Sequence, residues 1–282
     1  FTTVNGTSAN KLVRLNADGS VDGTFNAGAG PNGSSYALAL QSDGKILVGG
    51  VFNSYNGAAA QFVVRLQASG TLDPSFSSAG FTNGPGLYDG VYCLALQADG
   101  RIVIGGSFAG YGGVACTGVV RTLASGAVDG SFGLSWLGGD QRVLGLRVQP
   151  DGKILFTGAE FVAGPDDGGV RRALADGSVD PSYTPVNMPF YTQYGTNVLL
   201  LPDAKIIVCG SFVRIGGLTR RRIARLNGDG TVDPAFYPST GANGDVAHML
   251  RLPDGRILIG GSFTTYNGVE RLGIARLLAD GS

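Results

Sequence analysis

The sequence predicts an all-β fold built from repeated groups of antiparallel strands, and two observations lead to it. Glycine accounts for 48 of the 282 residues, and each interior Gly destabilises a helix by about 1 kcal/mol relative to Ala. Two sequence segments also recur along the chain, separated by Asp-Gly, Asn-Gly and Gly-Gly turns. Because 43% of the residues are hydrophobic, the repeats can bury a core instead of remaining disordered.

The first recurring segment is ALQSDGKILVGGVF at 39–52, which returns as ALQADGRIVIGGSF at 95–108 and in three further copies. The second segment, for example VVRLQASGTLDPSF from Val63, follows each copy of the first. Its Arg recurs at intervals of 51, 56, 51, 53 and 51 residues. The positions of this Arg are Arg14, Arg65, Arg121, Arg172, Arg225 and Arg276.

Each period contains four apolar runs bounded by turn residues, which predicts four consecutive antiparallel strands, a, b, c and d. No stretch of ten residues has a helical apolar period without Gly, so no helix of ordinary length is expected. Four strands in about 50 residues, repeated five times, are typical of a β-propeller. In the second period the predicted strands are 91–97, 101–108, 118–123 and 127–132.

We expect a single propeller domain over residues 1–282, with five repeats at 26–76, 77–132, 133–183, 184–236 and 237–282. These are repeats 1 to 5, and residues 1–25 are the N-terminal half-repeat. Strand d of the half-repeat (20–25) is predicted to complete the last blade, whose other strands run over 245–277, and so to close a five-bladed ring. One copy of strand c, 11–15 or 273–277, is then surplus. A fragment of a longer array explains that duplication equally well.

The paired motifs DGKILVGGxF and VxRLxxDGSxDPSF resemble the delta-60 repeat family of bacterial surface and secreted proteins. The resemblance covers essentially the whole chain. It implies a propeller within a larger, exported protein at the bacterial surface or outside the cell, and it supplies no catalytic residues. The sequence departs from the motifs at four positions, Thr157, Ala159, Tyr183 and Ala204.

An Asp follows the repeated Arg by eight residues in every complete c–d segment. A three-residue turn, such as Ala17, Asp18 and Gly19 with Gly in the left-handed conformation, places the two side chains opposite each other on one face. Five such pairs are interpreted as structural ties, not as active sites. The pairs are Arg14 with Asp22, Arg65 with Asp73, Arg121 with Asp129, Arg172 with Asp180, and Arg225 with Asp233.

Composition argues against several partners and cofactors. The chain has 21 basic and 21 acidic residues, so it lacks the positive charge expected of a nucleic-acid or membrane-surface protein. The longest uncharged stretch, 102–120, is too rich in Gly for a membrane helix. Cys93, Cys116 and Cys209 form no CxxC pair, so no zinc site is predicted. No cofactor is predicted, and calcium in the Asp-rich turns is left open.

We expect a non-catalytic extracellular binding or adhesion module with a protein or glycan ligand, which can also contact neighbouring domains or subunits. The sequence has no phosphate-binding loop, HExxH motif or nucleophile elbow, and His248 has no nucleophile beside it. One alternative is a polysaccharide hydrolase or lyase using carboxylates such as Asp140 and Glu160. Another is a structural spacer or filament subunit.

The ligand is predicted to bind the face that carries the b-to-c and d-to-a connections, because the d-to-a connections vary in length and sequence. The opposite face is expected to carry only tight Asp-Gly turns. Non-repeated aromatic and acidic residues concentrate in the variable connections, although the aromatic rings could equally plug gaps in the packing. The candidate ligand-binding residues are Tyr88, Trp136, Asp140, Phe190, Tyr191 and Tyr194.

Overall fold

Every secondary-structure element of the described chain is a β-strand. The computed structural model describes residues 1–83, 89–133, 141–160, 168–188 and 195–282, with the backbone alone for residues 141, 159, 160 and 195. The chain divides into two compact units, Phe1–Phe132 and Gly133–Ser282, and each is described by itself.

The first unit contains the N-terminal half-repeat and repeats 1 and 2. In each whole repeat, strand b pairs antiparallel with strand a on one side and strand c on the other. Strands a, b and c are Ser34–Leu40, Ile46–Val51 and Val63–Leu66 in repeat 1, and Gly90–Leu96, Ile102–Ser107 and Val119–Thr122 in repeat 2. Short hairpins precede strand c at Thr3–Val4 with Thr7–Ser8, Ser54–Tyr55 with Ala58–Ala59, and Gly110–Tyr111 with Val114–Ala115, the last also paired to Phe81–Thr82.

The second unit contains repeats 3 to 5 with the same a–b–c pairing. The strands are Gln141–Val148, Ile154–Glu160 and Gly168–Ala173 in repeat 3, Gly195–Leu200, Ile206–Gly210 and Ile223–Leu226 in repeat 4, and Val246–Arg251, Ile257–Gly261 and Ile274–Leu277 in repeat 5. Val186–Asn187 adds a fourth strand in repeat 3, and the short hairpins are Arg214–Ile215 with Leu218–Thr219 and Thr265–Tyr266 with Val269–Glu270.

The predicted strand d is where structure and expectation differ. Each d segment contributes a single bridge pair, for example Leu66 with Leu72. The ladder stops there because Asp73 turns back on the chain to accept a hydrogen bond from the Ser75 amide at 3.0 Å, and Pro74 has no N–H to donate. Val21 likewise pairs with Leu15 of its own half-repeat. Closure of a five-bladed ring by this segment stays a prediction.

The Gly-Gly pair of strand b has a packing reason. In repeat 1 the second Gly, Gly50, lies at the bulge that shifts the register between Ser35 and Ala37. A Cβ at Gly50 would overlap the carbonyl oxygen of Ser34. The first position is less restricted, since Thr157 and Cys209 occupy it in repeats 3 and 4.

The core lies between successive sheets within each unit. In the first unit, Leu47 and Val63 of repeat 1 pack with Leu94, Ile102 and Ile104 of repeat 2. The Phe that ends strand b is buried in repeats 1, 2, 4 and 5, as expected of a wedge between sheets. In repeat 3 the equivalent Phe161 lies outside the described residues.

Candidate functional site

The predicted ligand-binding residues all lie outside the part of the chain that the structure describes. They fall in three segments, 84–88, 134–140 and 189–194. Glu160, the carboxylate of the enzymatic alternative, pairs in register with Gln141, and only its backbone is described. The contribution of these residues to ligand binding therefore stays a prediction.

The structure brings the five Arg and Asp residues together. The Arg Nε donates a hydrogen bond to the Asp Oδ2 at 2.6 to 2.8 Å. In the half-repeat the turn has three residues, because the Asn16 amide bonds the Ser20 carbonyl at 2.8 Å and Gly19 has a φ of 83°. Arg14 and Asp22 are therefore opposite each other. The pairs are Arg14–Asp22, Arg65–Asp73, Arg121–Asp129, Arg172–Asp180 and Arg225–Asp233.

In repeat 1 both oxygens of Asp73 and the guanidinium of Arg65 are engaged in contacts within the protein. The second oxygen of Asp73 accepts hydrogen bonds from the amide and the hydroxyl of Ser75 at 3.0 and 2.8 Å. The Arg65 guanidinium lies 5.0 Å from the ring centroid of Phe76, a cation–π contact. The Phe at the end of segment d therefore also contacts the repeated Arg.

A second cation reaches the Asp from the residue just before strand b. Lys45 Nζ lies 3.1 Å from Asp73 Oδ2. The sequence reasoning missed this contact, although the Lys or Arg after each Asp-Gly turn was a visible signal. The equivalent contacts are Arg101–Asp129 at 3.2 Å, Lys153–Asp180 at 3.2 Å and Lys205–Asp233 at 2.7 Å.

These contacts hold the carboxylates in the charged state. Burial acts to raise the pKa of Asp233, but hydrogen bonds from Lys205, the Ala235 amide and Arg225 outweigh it and lower the pKa to about 2. The pKa of Asp73 is lowered as well, because hydrogen bonds from Ser75, Lys45 and Arg65 outweigh its burial. A carboxylate with a lowered pKa is a poor proton donor at neutral pH.

The same Arg also ties one repeat to the next. Arg14 Nη1 donates to the carbonyl of Ala68 in the c–d turn of repeat 1 at 2.7 Å. Arg172 reaches Gly228 at 2.6 Å and Arg225 reaches Ala279 at 2.9 Å. Because the guanidinium of Arg14, Arg172 or Arg225 bonds both its own Asp and the neighbouring turn, these three pairs tie one repeat to the next.

In repeats 1, 2, 4 and 5 the b–c hairpin contacts the preceding d–a connection on one side of the repeat. The connection before repeat 2 pairs with its hairpin through Phe81 and Tyr111. The Tyr111 hydroxyl donates to the Gly126 carbonyl at 2.6 Å and accepts from the Ala79 amide at 3.0 Å. In repeat 2 the hairpin and the connection on this side are therefore held together by strand pairing and by the Tyr111 hydroxyl.

Repeat 1 has an open groove on this side, with a volume of about 500 Å³. It lies between the hairpin residues Ala59 to Gln61 and the connection residues Phe76 to Ser78. Asn53 and Gln61 supply side-chain amides, and both amide oxygens are bonded within the protein: to Asn32 Nδ2 at 2.7 Å and to the Phe81 amide at 2.9 Å. Their NH2 groups are the parts left to a ligand.

The same place is filled in repeat 4. Arg220 stands where repeat 1 has Ala60, and Tyr237 stands where repeat 1 has Ser77. The buried Arg220 guanidinium lies 5.1 Å from the centroid of the exposed Tyr237 ring. Repeat 1 therefore has two small residues, Ala60 and Ser77, along its groove at the positions where repeat 4 has a long cation and an aromatic ring.

The opposite side of the repeats carries a concavity in addition to the tight a–b turns that were predicted there. In the second unit a concavity of about 650 Å³ is lined by the a–b turns of repeats 3 and 4, including Pro150, Asp151 and Pro202. Its apolar lining includes Leu200 and Leu201.

The remaining reactive side chains show no catalytic arrangement within the described residues. His248 is exposed on strand a of repeat 5. Burial raises the pKa of Cys209 to about 12 and that of Cys116 to about 11, which disfavours the reactive thiolate. No group of three or more His, Cys, Asp or Glu that could hold a metal is found in these ranges. They also contain no helix long and apolar enough to cross a membrane.

Comparison with known families agrees with this architecture. A β-propeller family described as a domain of unknown function, DUF5122, matches residues 1–25, 41–76, 97–132, 149–183, 201–236 and 252–282. The chain belongs to this β-propeller family, which confirms the predicted fold class and the delta-60-like repeat. The number of blades stays a prediction. No curated protein matches the sequence.

Solved structures share the fold at low sequence identity. An extracellular domain assigned to a hybrid two-component system of B. thetaiotaomicron is 11% identical with a TM-score of 0.50, over 86% of this chain and 27% of that one. A gluconolactonase of Xanthomonas campestris is 12% identical with a TM-score of 0.51, over 89% and 76%. A GH74 xyloglucanase of the same species is 13% identical with a TM-score of 0.51, over 91% and 38%. These likenesses concern the fold alone.

Proposed function

We propose that the protein is a non-catalytic extracellular binding module and that the open groove of repeat 1 binds a neutral glycan. The observation that carries this proposal is the contrast between repeats 1 and 4, where the same site is open in one and filled by Arg220 and Tyr237 in the other. Extracellular placement is supported by the delta-60-like repeat, whose family resemblance implies export.

The lining of the groove favours an uncharged ligand. Arg65 and Asp73 are its charged groups, and they neutralise each other at 2.7 Å. The amides of Asn53 and Gln61 suit sugar hydroxyls, and the partly exposed ring of Phe76 offers an apolar surface. Such a site holds a glycan by hydrogen bonds and ring contact without an ion pair.

The non-catalytic assignment is supported by the carboxylates. Glycoside hydrolysis needs a general acid whose pKa is raised. Within the described residues, every carboxyl group with a shifted pKa is shifted downward.

The test introduces the two large residues of the repeat 4 site at the equivalent positions of repeat 1. Ala60→Arg with Ser77→Tyr should abolish binding on a glycan array and in calorimetry with the best glycan, at unchanged melting temperature. The matched control, Arg220→Ala with Tyr237→Ser, should leave binding at repeat 1 intact. Full binding by the filled variant would refute the groove.

A second arm tests the enzymatic alternative and the predicted aromatic residues. Turnover of a polysaccharide that disappears on Glu160→Gln or Asp140→Asn would refute the non-catalytic assignment. Trp136→Ala with Tyr191→Ala separates two roles. Loss of binding at unchanged melting temperature supports a ligand contact, whereas a melting temperature several degrees lower with binding intact shows packing.

A further inference from the structure

Arg220 of repeat 4 differs from the other buried arginines of the described chain. Arg65, Arg121, Arg172 and Arg220 are all at most 8% exposed. In the first three, Nε donates a hydrogen bond to an Asp carboxylate at 2.6 or 2.7 Å. Arg220 Nε is buried as well, but it has no hydrogen-bond partner within the described residues. Burying a cation without a counter-ion is unfavourable, so this side chain is a candidate for binding an anion from outside the chain.

The contacts that Arg220 does make leave one edge of its guanidinium unused. Nη1 donates to the Thr219 carbonyl at 2.9 Å. The face of the guanidinium lies against Tyr237, with 5.1 Å between its central carbon and the ring centroid. Neither contact uses the edge formed by Nε and Nη2. Two parallel N–H donors of this kind bind both oxygens of a carboxylate.

Backbone contacts fix the segments on either side of the Arg220 side chain. The Arg220 amide donates to the Val213 carbonyl at 3.0 Å across the hairpin of repeat 4. A Cβ at Gly241, in the connection that begins with Tyr237, would overlap the carbonyl oxygen of Arg221. The connection therefore packs directly against the end of the hairpin, and the cation is held in place before a ligand binds.

The hairpin of repeat 4 also carries an excess of positive charge. Residues 213–222 include four Arg and no acidic residue, whereas the corresponding residues 53–62 and 109–118 of repeats 1 and 2 have no charged side chain. Asp245 Oδ1 lies 3.5 Å from Arg222 Nη1, so this acid is engaged by a different Arg. The local charge therefore favours a negatively charged ligand.

Tyr237 narrows the chemical class of that ligand. Its side chain is 62% exposed and adjoins the guanidinium, so a molecule that reaches Arg220 also meets an aromatic ring. An exposed aromatic ring offers an apolar surface to a sugar ring. A carboxylate carries the single negative charge that one guanidinium neutralises, whereas a phosphate monoester carries about −1.5 to −2. A sugar that bears a carboxylate satisfies both residues.

We propose that Arg220 and Tyr237 form a binding site for a uronic-acid unit of an acidic glycan. The carboxylate accepts hydrogen bonds from the Nε–Nη2 edge of Arg220, and the sugar ring packs against Tyr237. The site is independent of the groove of repeat 1, whose proposed ligand is neutral.

Calorimetry of the full chain with a short oligogalacturonate tests the site. The methyl ester of the same oligosaccharide is the matched probe, because it keeps the sugar rings and loses the charge. The acid form should bind at least about tenfold more tightly than the ester. Equal affinity for the two probes, or no binding of the acid form, would refute the site. Tighter binding of a polyglutamate peptide would overturn the assignment of a glycan.

Variants of the hairpin assign the binding to one side chain. Arg220→Lys keeps the charge but loses the planar edge, so it should weaken oligogalacturonate binding at least about tenfold. Arg221→Ala removes the exposed neighbouring charge and should have little effect. Unchanged binding by Arg220→Lys would contradict the proposed geometry, and a larger loss in Arg221→Ala would place the ligand elsewhere on the hairpin.

A stability measurement separates a ligand-binding Arg from a structural one. Arg220→Met replaces an unpaired buried cation with an apolar side chain and should leave the melting temperature unchanged or higher. Arg172→Met is the matched control, because Arg172 is equally buried but paired with Asp180, and it should lower the melting temperature by several degrees. Oligogalacturonate should raise the melting temperature of the wild type but not that of Arg220→Met. Equal losses of stability in the two variants would show that Arg220 is structural and would refute the site.

Discussion

The Arg14–Asp22 pair of the half-repeat and the Arg65–Asp73 pair of repeat 1 have nearly the same geometry in very different surroundings. The Nε–Oδ2 distances are 2.8 and 2.7 Å, but the Arg and Asp side chains are 38% and 19% exposed in the first pair and 6% and 2% in the second. The c–d turn sets the distance in both. Neighbouring strands determine the burial, and therefore what the pair contributes to stability.

The largest expected effect comes from removing the buried acid. Asp73→Ala leaves the buried Arg65 without its carboxylate and should reduce the free energy of unfolding by about 3 kcal/mol. Asp22→Ala removes the same contact in an exposed pair and should change stability far less. Denaturant unfolding of both variants measures the difference. Equal losses would show that burial does not set the contribution.

A Gly of strand b allows the same comparison, between a position packed against a neighbouring repeat and an open one, without a charged group. A Cβ at Gly49 would lie 2.5 Å from Val91 Cγ1 in the next repeat, whereas at Gly260 in repeat 5 the nearest atom is 3.9 Å away. Gly49→Ala should therefore destabilise the protein by about 2 kcal/mol through overpacking. Gly260→Ala should be close to neutral. If Gly49→Ala leaves the free energy of unfolding unchanged, the Val91 side chain moves aside without a loss of stability.

Acid should weaken the ties through the Asp carboxylates. The folded-state pKa of Asp233 is about 2, below its ordinary value of 3.8. The stabilisation that the Asp233 carboxylate contributes is therefore complete above about pH 4 and is lost as the pH falls towards 2. The melting temperature of the wild type should exceed that of Asp233→Asn at pH 5, and the gap should narrow by pH 2. A gap that does not change with pH would exclude the carboxylate charge as its source.

Sequence reasoning succeeded where structure is local. The a–b hairpins follow from strand alternation and the Asp-Gly turn, and the opposed Arg14 and Asp22 follow from counting three turn residues. It failed for segment d, where the Asp73 side chain and Pro74 end the ladder after one pair. The short hairpins before strand c were also missed, although Tyr-Asn-Gly at 55–57 marks a turn.

The groove could not be predicted from the sequence because it depends on two residues that are distant along the chain. Ala60 and Ser77 are unremarkable in the sequence. Only the folded chain brings these positions together, and in repeat 4 two larger side chains, Arg220 and Tyr237, are in contact at the equivalent positions.

The smallest expected effect concerns a turn whose strain does not depend on any neighbouring repeat. Ala204 occupies the turn position held elsewhere by Gly44, Gly100, Gly152 and Gly255, and it has a φ of 64°. An L-residue in this region is destabilised by about 1 kcal/mol, so Ala204→Gly should raise the melting temperature by about 2 to 4 °C. Gly255→Ala should lower it by a similar amount. Ala204 lies in repeat 4 and Gly255 in repeat 5, the last repeat. Shifts in melting temperature of equal size and opposite sign would therefore show that the strain belongs to the turn itself. Unequal shifts would show that contacts between repeats influence even the tightest turns.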